Sequence, residues 1–136
     1  SLGINILYKI VEMCRFFPKG YDVSIVEAHH TGKADSPSGT ALKLAETVSR
    51  IRGYTATIYG RKAISRRRDD AVEVLSVRGG GIPGIHELII AGPNEMLRIE
   101  HTAFSRSVFA QGALHAAEWL YRQNAPRIYS MDDLLK

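Results

Sequence analysis

Apolar side chains recur along this chain at helical spacing in some stretches and at strand spacing in others. Ile4, Leu7, Tyr8, Ile10, Val11 and Cys14 lie three or four apart and predict a helix from Asn5 to Phe16, ended by Pro18 and Gly20. Val23 to Ala28 is β-branched and bounded by a turn, which predicts a strand. Ala41, Leu42, Leu44, Ala45, Val48 and Ile51 mark a second helix closed by Gly53. A short strand follows over Thr55 to Tyr59. Gly60 to Asp70 carries seven charged side chains and reads as a solvated loop. Strands are predicted over Val72 to Arg78, Ile85 to Ala91 and Met96 to Ala103, with Gly92-Pro93-Asn94-Glu95 as the hairpin turn between the last two. Ser107 to Tyr121 predicts a long helix, and Ser130 caps a short final one. Strands and helices mixed without strict alternation imply an α+β fold, an open mixed sheet of four to five strands with helices on one face.

Composition narrows the picture. At 136 residues the chain is one domain, 1–136, long enough to bury roughly two-thirds of its unfolded surface. It is 45% hydrophobic and 24% charged, values that exclude disorder and fibrous repeats. No apolar run reaches the roughly 18 residues of a membrane span, and the start lacks a secretory leader pattern, so a cytoplasmic location without membrane contact is expected. The single cysteine, Cys14, excludes an intrachain disulfide and a multi-cysteine zinc site. Eighteen basic against 14 acidic side chains leave +4, a mild excess that suits a small anionic ligand.

The stretch richest in chemistry is His29-His30-Thr31-Gly32-Lys33-Ala34-Asp35-Ser36-Pro37-Ser38-Gly39-Thr40, between a strand and a helix. Ser36 suits an N-cap and Pro37 the first helical position, which leaves the amides of Ser38, Gly39 and Thr40 pointing out of the first turn. With the helix dipole this makes a site for a carboxylate or phosphate. The bland alternative is a well-capped helix without a ligand. Adjacent strand residues face opposite ways, so only one of His29 and His30 points at a given spot unless the strand ends there. Lys33 adds a cation, and histidine with ammonium forms an acid–base pair. No third ligand stands at a metal-binding spacing, so no metal is expected.

His29 to Ala41 (HHTGKADSPSGTA) resembles the signature of the dihydrodipicolinate reductase family. Ser1 to Asn5, the Arg78-Gly79-Gly80 turn with Gly84, His101 to Ala113 (HTAFSRSVFAQGA) and Tyr129 to Leu134 resemble further family segments in the same order. The resemblance implies that His29 is the general acid/base and Lys33 a second catalytic group. It implies substrate contacts for His30, Ser38, Gly39 and Thr40, and a domain-junction place for Arg106. The implied reaction is hydride transfer from NADH or NADPH to a cyclic dicarboxylate, 4-hydroxy-tetrahydrodipicolinate, in lysine and diaminopimelate synthesis. The implied assembly is a homotetramer built on this domain's sheet.

Departures from the family shape these expectations. The family's dinucleotide-binding domain has no counterpart here. The chain is therefore expected to be the substrate-binding and oligomerisation half, inactive alone and binding no cofactor. A literal G-x-G-x-x-G, Gly79 to Gly84, precedes the strand pattern Ile85 to Ile90, whereas a dinucleotide fingerprint precedes a helix. Ser36 and Gln111 replace commoner residues, and Gly81 stands where many members carry an acid. Trp119, with Leu114 and Leu120, reads as packing, on a helix expected to lean on the other domain. Arg66-Arg67-Arg68 offers the competing function, a non-catalytic basic module on nucleic acid. Asp69 and Asp70 follow at once without interleaved aromatics, which favours a solvated loop and no nucleic-acid partner.

Overall fold

Alternation organises the central strand. In the computed structural model, which describes residues 1–136, β1 (Asp22–His29) buries Val23, Ile25, Glu27 and His29 on one face and half-buries the residues between them. Around it stand β2 (Ala56–Ile58), β3 (Ala71–Arg78), β4 (Ile85–Ala91) and β5 (Met96–Thr102), in the order β2-β3-β1-β4-β5. The first three run parallel, and β4 and β5 are antiparallel additions, so the sheet is open and mixed.

Two helices cover one face. α1 (Leu2–Val11), continued by a 3₁₀ turn (Glu12–Phe16), contributes Ile4, Leu7 and Val11. α2 (Gly39–Arg52) contributes Ala41, Leu44, Ala45 and Val48. They close over Val23, Ile25, Val72, Val74, Leu88 and Ile90 in one apolar core. Gly53 ends α2 in the left-handed region at φ 70°, where glycine carries no Cβ penalty. Arg52 then donates to the carbonyls of Phe17, Pro18 and Tyr21 at 2.6–2.8 Å and knits the turn after the 3₁₀ segment to α2. No helix is long and apolar enough to cross a membrane.

Several expectations shift. α1 starts at Leu2, three residues before the expected Asn5, because the Ser1 hydroxyl caps the amide of Ile4. Ser36 and Pro37 do not open α2. Ser38 is the N-cap, its hydroxyl accepting from the Ala41 amide at 3.2 Å, and Gly39 is the first helical residue. The segment 60–70 is not simply solvated. Arg67 reaches across the sheet edge to the carbonyls of Val23 and Ala71 at 3.0 and 3.2 Å and pairs with Asp22, while Arg61 pairs with Glu73. Arg68 is held by Asp70, so two of the three arginines in the basic run are engaged within the chain.

The last helices stand apart from the sheet. α3 (Ser107–Tyr121) buries only Gly112, against the backbone of Ser1 and Leu2. Trp119 does pack, edge-on to Tyr129 with ring centroids 5.4 Å apart, but Leu114 is 67% exposed and does not join it. α4 (Met131–Leu134) begins with the expected Ser130 cap, reinforced by Asp133. The uncovered sheet face presents Leu75 and Val77, 42% and 49% exposed, beside the ion pair of Arg98 with Glu87.

Candidate active site

The C-terminal ends of β1 and β5, the start of β4 and the first turn of α2 meet around a cavity of about 280 Å³. A roomier hollow of about 330 Å³ between α2 and β2 holds no histidine or lysine. His29, Lys33, Ser38, Gly39 and Thr40, five of the seven residues expected at the site, line the smaller cavity together. His30 does not. β1 ends at His29, and His30, the first residue beyond it, has its Nε2 3.0 Å from Nη2 of Arg106. His30 and Arg106 therefore form their own pair outside the cavity lining.

Lys33 donates to Asp35 at 2.7 Å, and an ammonium with three donors keeps two for a ligand. Ser38 lines the cavity with its polar groups engaged within the chain. Its amide donates to Glu27 at 3.2 Å, and its hydroxyl bridges the Ala41 amide and Nε2 of His86 at 3.2 and 3.0 Å. A buried carboxylate must collect donors, and Ser38 supplies one of them. The outward donors of the first turn are thus the amides of Gly39 and Thr40, which have no intrahelical partner. A Cβ on Gly39 would meet nothing within 4 Å, so the backbone there is open to a ligand.

The sequence reading missed Glu27, Arg78, His86 and His101 as site residues. Glu27 is wholly buried, and its Oε2 lies 2.5 Å from His29 Nδ1. Arg78 grips both Glu27 oxygens at 2.8 and 3.0 Å. His86 stacks edge-on to His29 with centroids 5.0 Å apart, and His101 pairs with it across β4 and β5. A signal was present. Glu27 falls in phase with the core positions Val23 and Ile25, and His86 in phase with Leu88 and Ile90, where an apolar residue is the default. Glycine is required at Gly84: its φ is +156°, and a Cβ there would lie 3.2 Å from His29 Nε2.

Electrostatics follow from these contacts. Burial alone would raise the Glu27 carboxyl, but hydrogen bonds from Arg78, Ser76 and His29 and the Arg78 charge outweigh it and hold the group at about 2. Burial pushes His86 down to about 4, helped by the neighbouring His29. Burial also lowers His101. The ligand atoms of Glu27, His29 and His86 lie within 4.8 Å of one another, the spacing of a metal cluster. The Arg78 guanidinium already occupies both Glu27 oxygens, and its positive charge opposes a cation there.

Both lowered groups make stability fall with acid. The unfolded chain takes protons that the fold refuses, from about 6.5 to 4 at His86 and from about 4.5 to 2 at Glu27. The denaturant midpoint is expected to decline from near pH 6.5 downward, and His86→Asn to flatten the upper part of that decline. A midpoint constant between pH 7 and pH 4 would contradict this assignment.

Comparison with known proteins decides the family. A sequence model described as "Dihydrodipicolinate reductase, C-terminus" matches residues 3–135. The chain belongs to the dihydrodipicolinate reductase family. It is 44% identical to the 4-hydroxy-tetrahydrodipicolinate reductase of Methanosarcina barkeri over 135 residues, 99% of this chain and 51% of that protein. The enzyme of the same name from Lawsonia intracellularis is 41% identical over 140 residues, 99% of this chain and 54% of that protein. A solved structure, the dipicolinate-bound dihydrodipicolinate reductase from Paenisporosarcina sp. TG-14, superposes with a TM-score of 0.67 at 25% identity. That match covers 84% of this chain and 44% of the other. The chain spans about half the length of the curated relatives it matches.

The resemblance to the family implies a nicotinamide cofactor, and the one segment here with the dinucleotide spacing is Gly79 to Gly84. It turns from β3 directly into β4, with no helix N-terminus to face a pyrophosphate. These residues do not fit the cofactor's phosphates.

Proposed function

We propose that this domain is the substrate-binding and acid-donating half of a reductase acting on a cyclic dicarboxylate, 4-hydroxy-tetrahydrodipicolinate, in lysine and diaminopimelate synthesis. The observation that carries it is the meeting of His29, Lys33 and the open first turn of α2 in one cavity, in a chain of this family. Gly39 and Thr40 grip a substrate carboxylate with backbone amides, the Thr40 hydroxyl and the positive end of the helix. Lys33 supplies a mobile cation beside it. Because Glu27 accepts at Nδ1, the His29 ring presents Nε2 toward the cavity; the doubly protonated imidazolium gives up its Nε2 proton as electron density builds on the substrate ring and is left as the neutral Nδ1–H ring. NADH or NADPH supplies the hydride in this reading, held by residues outside this chain. Ser38 acts by shaping the turn, and His30 with Arg106 by holding the neighbouring loop.

Dipicolinate, which the Paenisporosarcina relative binds, is the probe. Titrated into the chain, it should shift the backbone amide signals of Lys33, Gly39 and Thr40, weakly, because a cleft closed on one side only gives up part of its contact surface. Shifts clustered away from this turn would refute the reading, as would duplex DNA shifting Arg66 to Arg68 with a steep salt dependence. The same reading extends to assembly. The uncovered apolar strip of Leu75 and Val77 packs against a second copy, toward a homotetramer, with light scattering as its measure.

A further inference from the structure

We propose that Arg78 and Glu27 form a positioning pair that holds His29 and Lys33 in one working arrangement, without touching the ligand. This deepens the function proposed above and rests on it. Glu27 is a wholly buried charge at a core position of β1, where an aliphatic side chain would pack without any need for partners. Each of its oxygens accepts twice. Oε1 takes Arg78 Nη2 at 2.8 Å and the Ser38 amide at 3.2 Å, and Oε2 takes Arg78 Nη1 at 3.0 Å and His29 Nδ1 at 2.5 Å. One carboxylate thereby ties together the ends of β1 and β3 and the cap of α2.

Two chemical facts give this knot a direction. A guanidinium does not lose its proton in proteins, so Arg78 keeps Glu27 ionised. An ionised carboxylate only accepts, so the hydrogen of a neutral His29 ring must sit on Nδ1. Nε2 is left on the side of the cavity and of Gly84. Arg78 also acts on the second group. Its Nη2 donates to the Asp35 carbonyl at 2.6 Å, and the Asp35 carboxylate holds Lys33 at 2.7 Å. One planar fork thus spans the strand that carries His29 and the loop that carries Lys33. A lysine at this position, with a single nitrogen, could not bridge both Glu27 oxygens and the Asp35 carbonyl in that geometry. Arg78 itself lies behind the cavity and contributes nothing to its lining.

Imidazole nitrogen chemical shifts of the intact chain test the pair, because they report the tautomer directly and a purely structural role would not move them. At a pH where the rings are neutral, His29 should show the single Nδ1–H tautomer. Glu27→Gln, which keeps the shape but offers a donor as well as an acceptor, should replace it by a mixture of tautomers. Arg78→Lys keeps a positive charge beside Glu27 but loses the fork, so it should leave the Nδ1–H tautomer in place, shift the amides of Lys33 and Asp35, and weaken dipicolinate by about tenfold, the lower end of what supporting residues cost. Should Arg78→Lys fold poorly, Glu27→Gln carries the test. His29 retaining one Nδ1–H tautomer in Glu27→Gln would overturn the pair, as would unshifted Lys33 and Asp35 amides in a folded Arg78→Lys. The tautomer readout decides this inference whether or not dipicolinate binds. Failure of the wild-type chain to bind dipicolinate, with the tautomer effect intact, would count against the proposed substrate alone.

Discussion

Replacing His29 with Gln is expected to lower kcat by about two to four orders of magnitude, a typical general-acid contribution, while KM changes little. The measurement needs this domain joined to a dinucleotide-binding partner. Neighbouring changes calibrate it. Lys33→Ala should also act mainly on kcat, since an ammonium matters most when electron density has built up on the ring. Thr40→Val should raise KM more than it lowers kcat, because a carboxylate grip acts on ground and transition states alike. His30 is the sharpest control. It is adjacent in sequence and identical in chemistry, yet it faces Arg106 outside the cavity lining. His30→Gln should therefore leave most of kcat intact. If His29→Gln keeps its turnover, or if His30 is the costlier loss in kcat, the acid has been misassigned.

The second large effect concerns the fold. Leu88 sits in the middle of β4 with no exposed surface, packed into the core under α1 and α2. Leu88→Ala is expected to cost about 2–5 kcal/mol, the transfer loss of the removed atoms plus the cavity left behind. Equilibrium denaturation by urea measures it. Leu75 lies on β3 but faces the uncovered side of the sheet. Leu75→Glu should leave the denaturation of the single domain close to wild type, within about 0.5 kcal/mol, as surface changes usually do. By light scattering it should lower the associated mass, because a charge placed in an apolar contact must be desolvated. A wild-type chain that scatters as a monomer would remove the outer face from the assembly argument. A near-neutral Leu88→Ala would remove Leu88 from the core.

Much of this was legible in the sequence, and for local reasons. The alternation of β1, the limits of β4 and α3, the Gly53 stop and the Ser130 cap follow from periodicity and turn chemistry within a few neighbouring residues. The loop from His29 to Thr40 could be singled out because histidines, a lysine and a helix start stand together in twelve residues. Strand alternation separates His29 from His30 only where the strand runs through both; β1 ends at His29, so which histidine meets the cavity was not legible.

What the chain does across distance had no such local signature. Ser36 with Pro37 is a sound helix start by local rules. Ser38 caps α2 instead, with its amide taken by a buried carboxylate eleven residues back. Arg66 to Arg68 read as a solvated run, yet Arg67 folds over β1 and β3 because Asp22, Glu73 and two strand carbonyls converge there. His86 and Arg78 come from other strands and meet Glu27 and His29 only when β4 and β3 flank β1. By itself the sequence determined the elements, the face each one buries and the loop that carries the chemistry, because those depend on spacing along a few turns. Only the tertiary structure decided which histidine faces the cavity, what orients it and which serine caps the helix, because each depends on where a buried charge finds its partners.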